Sequence, residues 1–149
     1  MNILITGGAG FIGSQLTAKF VSLGHKLKVI DNLVLGRKEF LAPILNRIEF
    51  VEMDLLELAR LEKEMAGTDL VFHMAANSDI SQGAKITDID LRNGTLATYN
   101  VLESMRKTNT REIIFASSSA IYGEAEVKPT PESYGPLLPI SFYGASKLA

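Results

Sequence analysis

The stretch "TGGAGFIGS" at residues 6–14 limits this chain more than any other. It stands where a short β-rich run, "NILIT" at 2–6, meets a helical pattern over 11–23. Inside it lie Gly8-x-Gly10-x-x-Gly13. Small residues have three uses in such a place. One permits the tight turn, one lets backbone N–H groups approach a pyrophosphate, and one lets a helix pack closely on a strand. A strand, a glycine turn and a helix in that order predict a βαβ unit.

The rest of the chain continues the alternation. In the helix at 11–23, Ile12, Leu16, Phe20 and Leu23 fall at helical spacing, and Gly24 follows as a C-terminal cap. Further strands are expected at 26–31, 48–52, 69–76 with its exit, and 112–119. Helices are expected at 55–67, closed by Gly67, and at 87–107, with Leu91, Thr95, Thr98, Leu102 and Met105 on one side. Pro129, Pro131, Pro136 and Pro139 mark a loop, after which a last helix starts near Ile140. Apolar strands alternating with helices predict an α/β fold, a doubly wound parallel sheet with helices on both faces. At 149 residues the chain is one domain with a real core.

Composition removes several function classes. The net charge is −2, with both signs mixed along the chain, so a basic face for nucleic acid or an anionic membrane is not expected. The opening "MNILITGG" has neither a basic stretch nor a long apolar run, so neither a signal peptide nor a membrane helix is expected there. Cysteine is absent, which excludes disulfides and thiolate metal sites and fits a cytoplasmic protein. His25 and His73 are far apart in sequence, and no metal cluster is expected.

Several residues carry chemistry. Asp31 ends the second strand, eighteen residues beyond Gly13. A carboxylate there can accept both ribose hydroxyls of an adenosine and repels a 2′-phosphate, which favours NAD over NADP. The alternative is a plain turn with Asp31 as a solvated strand end. Arg37, in the next loop, is placed to meet a phosphate instead. Asp54 follows the third strand and suits either an adenine contact or the N-cap of the next helix. Small Ala75 and Ala76 would let a flat ligand lie close to the backbone. His73, alone within an apolar strand, reads as a satisfied core histidine. Tyr143 and Lys147 are spaced i, i+4, one helical turn apart. A free phenol is a poor base at neutral pH, and a neighbouring ammonium stabilises its phenolate.

Taken together, these motifs resemble the extended short-chain dehydrogenase/reductase family, in its nucleotide-sugar epimerase/dehydratase branch. The resemblance runs the length of the chain. It rests on Gly7, Gly10 and Gly13 of the turn, "DN" at 31–32, "DL" at 54–55, "HMAA" at 73–76, "NGT" at 93–95, "SSSAIYGE" at 117–124 and "YGASK" at 143–147. It implies a Rossmann-like domain that binds NAD. The implied cofactor residues are Gly7, Gly10, Phe11, Ile12, Gly13, Asp31, Asn32, Gly36, Asp54, Leu55, Met74, Ala75, Ala76, Asn93 and Ser117, with Tyr143 and Lys147. It implies Ser118, Tyr143 and Lys147 as the catalytic set, Tyr143 being the base that takes a sugar hydroxyl proton.

The resemblance also bears on the reaction. Dehydratases and decarboxylases of the branch carry carboxylates where this chain has Ser119 and Ala120. A 4-epimerase needs no further group, so the expected activity is NAD-dependent 4-epimerisation of a UDP-linked nucleotide sugar through a 4-keto sugar. The alternatives are a related dehydratase or reductase, or an inactive NAD-binding fragment. The loop "NLVLGR" has Val34 and Leu35 where many relatives carry hydroxyls. Members of the family continue well past the lysine. Residues 1–149 are therefore expected to form a cofactor domain, incomplete at its C-terminal side and without a substrate-binding region. Its last helix should fray and hold Lys147 poorly. The family's homodimer, built on the helices at 87–107 and around Tyr143, should be weakened.

Overall fold

The computed structural model describes residues 1–149. Five parallel strands form one sheet in the order β3-β2-β1-β4-β5. They are β1 (Asn2–Thr6), β2 (Lys26–Asp31), β3 (Glu49–Glu52), β4 (Leu70–His73) and β5 (Glu112–Phe115). The helices are α1 (Phe11–Ser22), α2 (Leu58–Met65), α3 (Ile80–Gly83), α4 (Ala97–Thr108) and α5 (Phe142–Leu148). No helix is long and apolar enough to cross a membrane.

The strands are apolar nearly throughout because both faces of the sheet are covered. Successive side chains of β1 go to opposite layers. Leu4 joins Ile30, Val71, Leu61, Met65 and Val101 under α2 and α4. Ile3 and Ile5 join Leu27, Phe72 and Val21 under α1. The chain runs outward from β1 through β2 to β3, then returns to place β4 on the other side of β1. That reversal leaves a crevice beyond the carboxyl ends of β1 and β4, the usual binding place of an open α/β sheet.

Several expectations are corrected. A 3-10 helix at Lys38–Arg47 fills the crossover before β3, where no helix was expected. Pro43 lies within it and offers no N–H, which argues against a helix when the sequence is read alone. The second expected helix begins at Leu58, with Glu57 as its N-cap, so Asp54 is not the cap. The helix expected at 87–107 divides into a π-helical segment at Leu91–Leu96 and α4. Its inward side is Gly94, Ala97, Val101, Ser104 and Met105, while Leu91 and Leu102 face solvent. In α1 the buried residues are Gly13, Ser14, Thr17 and Val21, and Ile12 and Leu23 are exposed. The fifth strand stops at Phe115 rather than continuing to 119. Helix α5 starts at Phe142, where Ser141 caps it by accepting the Gly144 N–H at 3.0 Å.

Candidate functional site

The crevice is a cleft of about 470 Å³ along the carboxyl ends of the strands. The glycine turn forms its floor. Gly7 has φ +66°, and a Cβ there would stand 2.7 Å from the Ala75 backbone, so β1 and the β4 exit touch main chain to main chain. A Cβ on Gly13 would collide with Gly7 O, which makes the third glycine the contact between helix and turn. Helix α1 begins at Gly10 with no side-chain cap and no acid in its first turn. Its leading N–H groups and the positive end of its dipole are thus left for an anion.

Asp31 stands at the rim, largely buried. One oxygen accepts the Ala9 N–H and the other the Leu33 N–H, each at 2.9 Å. Each carboxylate oxygen has a second acceptor site, so a vicinal diol can still be held. Gly36 folds over this carboxylate so closely that a Cβ would stand 2.5 Å from Oδ1. Asn32, Asp54, Leu55, Met74, Ala75, Ala76 and Asn93 also line the cleft, as do Phe11 and Ile12. Asp54 accepts the Leu56 N–H at 2.9 Å and lies 3.5 Å from the Asn32 amide, which fixes it beside Asn32.

The other group of candidates adjoins the cleft through Ala116. Ser117, Ser118, Tyr143 and Lys147 are not among its lining residues, whereas Ala116 is. Lys147 Nζ donates to Ala116 O at 2.7 Å and lies 4.6 Å from the centre of the Phe115 ring and 5.9 Å from that of Tyr143. Lys147 is buried, and that burial lowers its pKa below the ordinary lysine value. The expectation that it would be poorly held is therefore wrong: sheet carbonyl and aromatic face both secure it. Ser118 caps a 3-10 turn at Ser119–Tyr122, its Oγ accepting the Ala120 N–H at 3.1 Å. Ser117 is exposed.

His73 is fully buried beneath this group. Its Nδ1 lies 2.6 Å from Thr6 Oγ1 and its Nε2 3.0 Å from Thr98 Oγ1, so both ring nitrogens are satisfied. Burial, then the nearby Lys147 charge, push its pKa down to about 4, and the ring is neutral at pH 7. Residues not anticipated from sequence also line the cleft, among them Met53, Asn77, Gln82 and Ala116. Asn77 was findable: its side chain accepts the Asp79 N–H at 3.1 Å, a local turn common for asparagine after a strand. Gln82 sits on α3, for which the sequence holds no periodic signal.

An uncapped helix start over a glycine turn, with a rim carboxylate on the next strand, defines a dinucleotide-binding α/β domain. Over residues 3–149 the chain matches the NAD dependent epimerase/dehydratase family, and it belongs to that family. It is 37% identical over 147 residues to a putative UDP-glucose 4-epimerase of Methanocaldococcus jannaschii, covering 97% of this chain and 47% of that protein. Among solved structures it is similar to the UDP-glucose 4-epimerase of Thermotoga maritima with UDP-glucose, at 36% identity and TM-score 0.93, over 99% of this chain and 48% of that one. It is also similar to the UDP-glucose 4-epimerase of Brucella ovis in complex with NAD, at 34% identity and TM-score 0.91, over 99% and 44%. The chain thus spans about half the length of the curated relatives it matches.

Proposed function

We propose that the chain is the cofactor-binding half of an NAD-dependent nucleotide-sugar 4-epimerase acting on a UDP-linked sugar. The observation that carries the reading is Ala116. It lines the cleft and accepts the Lys147 ammonium, so the glycine turn and the tyrosine-lysine helix serve one space.

The residues present fit NAD. The open N-terminus of α1, with Gly7, Gly10, Phe11, Ile12 and Gly13, suits a pyrophosphate. The free acceptor sites of Asp31, flanked by Asn32 and Gly36, suit the adenosine ribose. Asp54 and Leu55 suit the adenine, and Met74, Ala75, Ala76, Asn93 and Ser117 the nicotinamide half. When bound, NAD would supply reversible hydride acceptance at the sugar carbon. In the chain's part of the work, Tyr143 accepts the proton of the sugar 4-hydroxyl and later gives it back. Ser118 hydrogen-bonds the same oxygen. Lys147 supplies a fixed positive charge beside the phenol. Ala120, in the serine turn, brings no carboxylate for eliminating water, which favours epimerisation over dehydration.

Residues 1–149 make up the cofactor domain in this reading, with substrate selection elsewhere in the complete protein. In this reading the complete protein is a cytoplasmic homodimer; the absence of cysteine in these 149 residues is compatible with the compartment, and the apolar side chains that α4 and α5 leave exposed support the pairing. In the complete enzyme, Tyr143→Phe should lower turnover by about 10²–10⁴-fold while NAD remains bound. Undiminished turnover would remove Tyr143 from its role. The coverage of about half the relatives' length favours a second reading, in which this segment alone binds NAD without turnover. A calorimetric titration with NAD beside an epimerisation assay separates the two, because turnover by the 149-residue chain refutes the second.

A further inference from the structure

Helix α5 carries Tyr143 and Lys147, and it meets its surroundings at two crossings that lack a side chain on one partner. At the first, Gly94 of the π-helical segment lies against Ser146. A Cβ on Gly94 would collide with Ser146 Oγ and stand 2.7 Å from Ser146 Cβ. At the second, Gly144 lies against the serine turn. A Cβ there would stand 2.6 Å from Ala120 O and 2.9 Å from Pro139 Cβ. Side chains do not tolerate such distances in a packed interior, so each glycine sets how near its neighbour comes. Both glycines are buried.

The crossings alternate with the reacting residues along the helix. Gly144 follows Tyr143, and Ser146 precedes Lys147. Ala120, which Gly144 touches, also donates its N–H to Ser118 Oγ. The turn that α5 approaches at Ala120 is thus the same turn that Ser118 caps. Ser146 Oγ donates to Tyr143 O at 2.8 Å, so turning the hydroxyl aside for a methyl group on Gly94 would break that bond and still leave Ser146 Cβ in the way. The π-helical segment puts Gly94 opposite Ser146 and Asn93 into the cleft. Irregular helix of this kind is common where function depends on side-chain placement.

We propose that Gly94 and Gly144 are positioning residues, side-chain-free seats that hold Tyr143 and Lys147 at working distance from Ser118 and the cleft floor. The proposal rests on the assignment of those three residues as the reacting group. Neither glycine touches a reacting atom; both act through the placement of α5.

A size swap across the first crossing tests it. In the complete enzyme, Gly94→Ala should lower kcat at least tenfold, change the sugar KM less than threefold and change NAD affinity less than fivefold. In the 149-residue chain, NMR should find that the same substitution moves the Lys147 titration up toward the ordinary value of 10.5, because the lysine leaves its buried seat. Ser146→Gly alone should leave both quantities near those of the parent. The double variant Gly94→Ala/Ser146→Gly should regain them. The proposal is overturned if Gly94→Ala keeps the parent kcat and titration. It is equally overturned if the double variant recovers neither, failure to fold included. Tyr143→Phe serves as the separate control. An active Tyr143→Phe enzyme refutes the reading of the reacting group, whereas an inactive one beside a fully active Gly94→Ala refutes the seats alone.

Discussion

His73 shows how a polar residue can be absorbed by a core and still shape the behaviour of the protein. Threonines bond both of its nitrogens, and the ring has no exposure. Protonating it would place a cation in an apolar strand near Lys147. Its folded pKa, about 4, lies below the ordinary value of 6.5. The unfolded chain thus binds more protons between those values, and stability falls as pH drops through that window. The full penalty is about 3 kcal/mol. Urea unfolding of His73→Asn at pH 7 and at pH 4 should show a smaller acid loss than the parent by that order. An equal loss would locate the acid sensitivity elsewhere. Asp31 illustrates a different economy of bonds: its two backbone contacts shape the rim while leaving acceptor capacity toward the cleft.

At the scale of elements, α4 separates what could be read from sequence and what could not. The strands were legible because short apolar runs bounded by glycine or aspartate have few other folded solutions. β1 and β2 begin and end where the residue pattern places them. The glycine turn, with the strand before it and the acid after it, was legible for the same reason. Helix faces were not. The π-helical segment at Leu91–Leu96 has more residues per turn than an α-helix, so a count at 3.6 drifts and turns Leu91 and Leu102 the wrong way. In α1 the helix sits close to the sheet on Gly13, Ser14 and Thr17, and small residues give no hydrophobic signal. Tyr143 and Lys147 were legible as a pair by spacing, but the carbonyl that Lys147 meets belongs to another element and has no sequence signature. The inward face of α4 also contains Ser104, fully buried with its hydroxyl unpaired. Ser104→Ala removes that unpaired group and raises helix propensity, so stability should rise by about 0.5–1 kcal/mol in urea unfolding. A loss of stability would show that the hydroxyl has a partner in solution.

For the whole molecule, large apolar side chains remain exposed on the helices of both layers, Phe11 and Ile12 on α1 and Tyr99 and Leu102 on α4. Leu96 at the end of the π-helical segment and Tyr99 and Leu102 of α4 are exposed, as are Phe142 and Leu148 of α5. Exposed apolar side chains of this size are the kind that association between molecules covers. Light scattering across a concentration series should show self-association that Tyr99→Lys/Leu102→Glu reduces without lowering the unfolding free energy by more than about 1 kcal/mol. A parent that stays monomeric throughout would argue against the surface. Both edges of the sheet are bonded on one side only, β3 to β2 and β5 to β4, and Ile114 of β5 is half open to solvent. In mechanical terms β5 is a cantilever, and the bond from Lys147 to Ala116 O is the strut near its free end. In the proposed site, the ammonium that would lend charge to Tyr143 also ties α5 to the residue that follows β5 on the way to Ser118. Removing it would slacken the frame and discharge the proposed site in one stroke, so the two losses would belong to a single part.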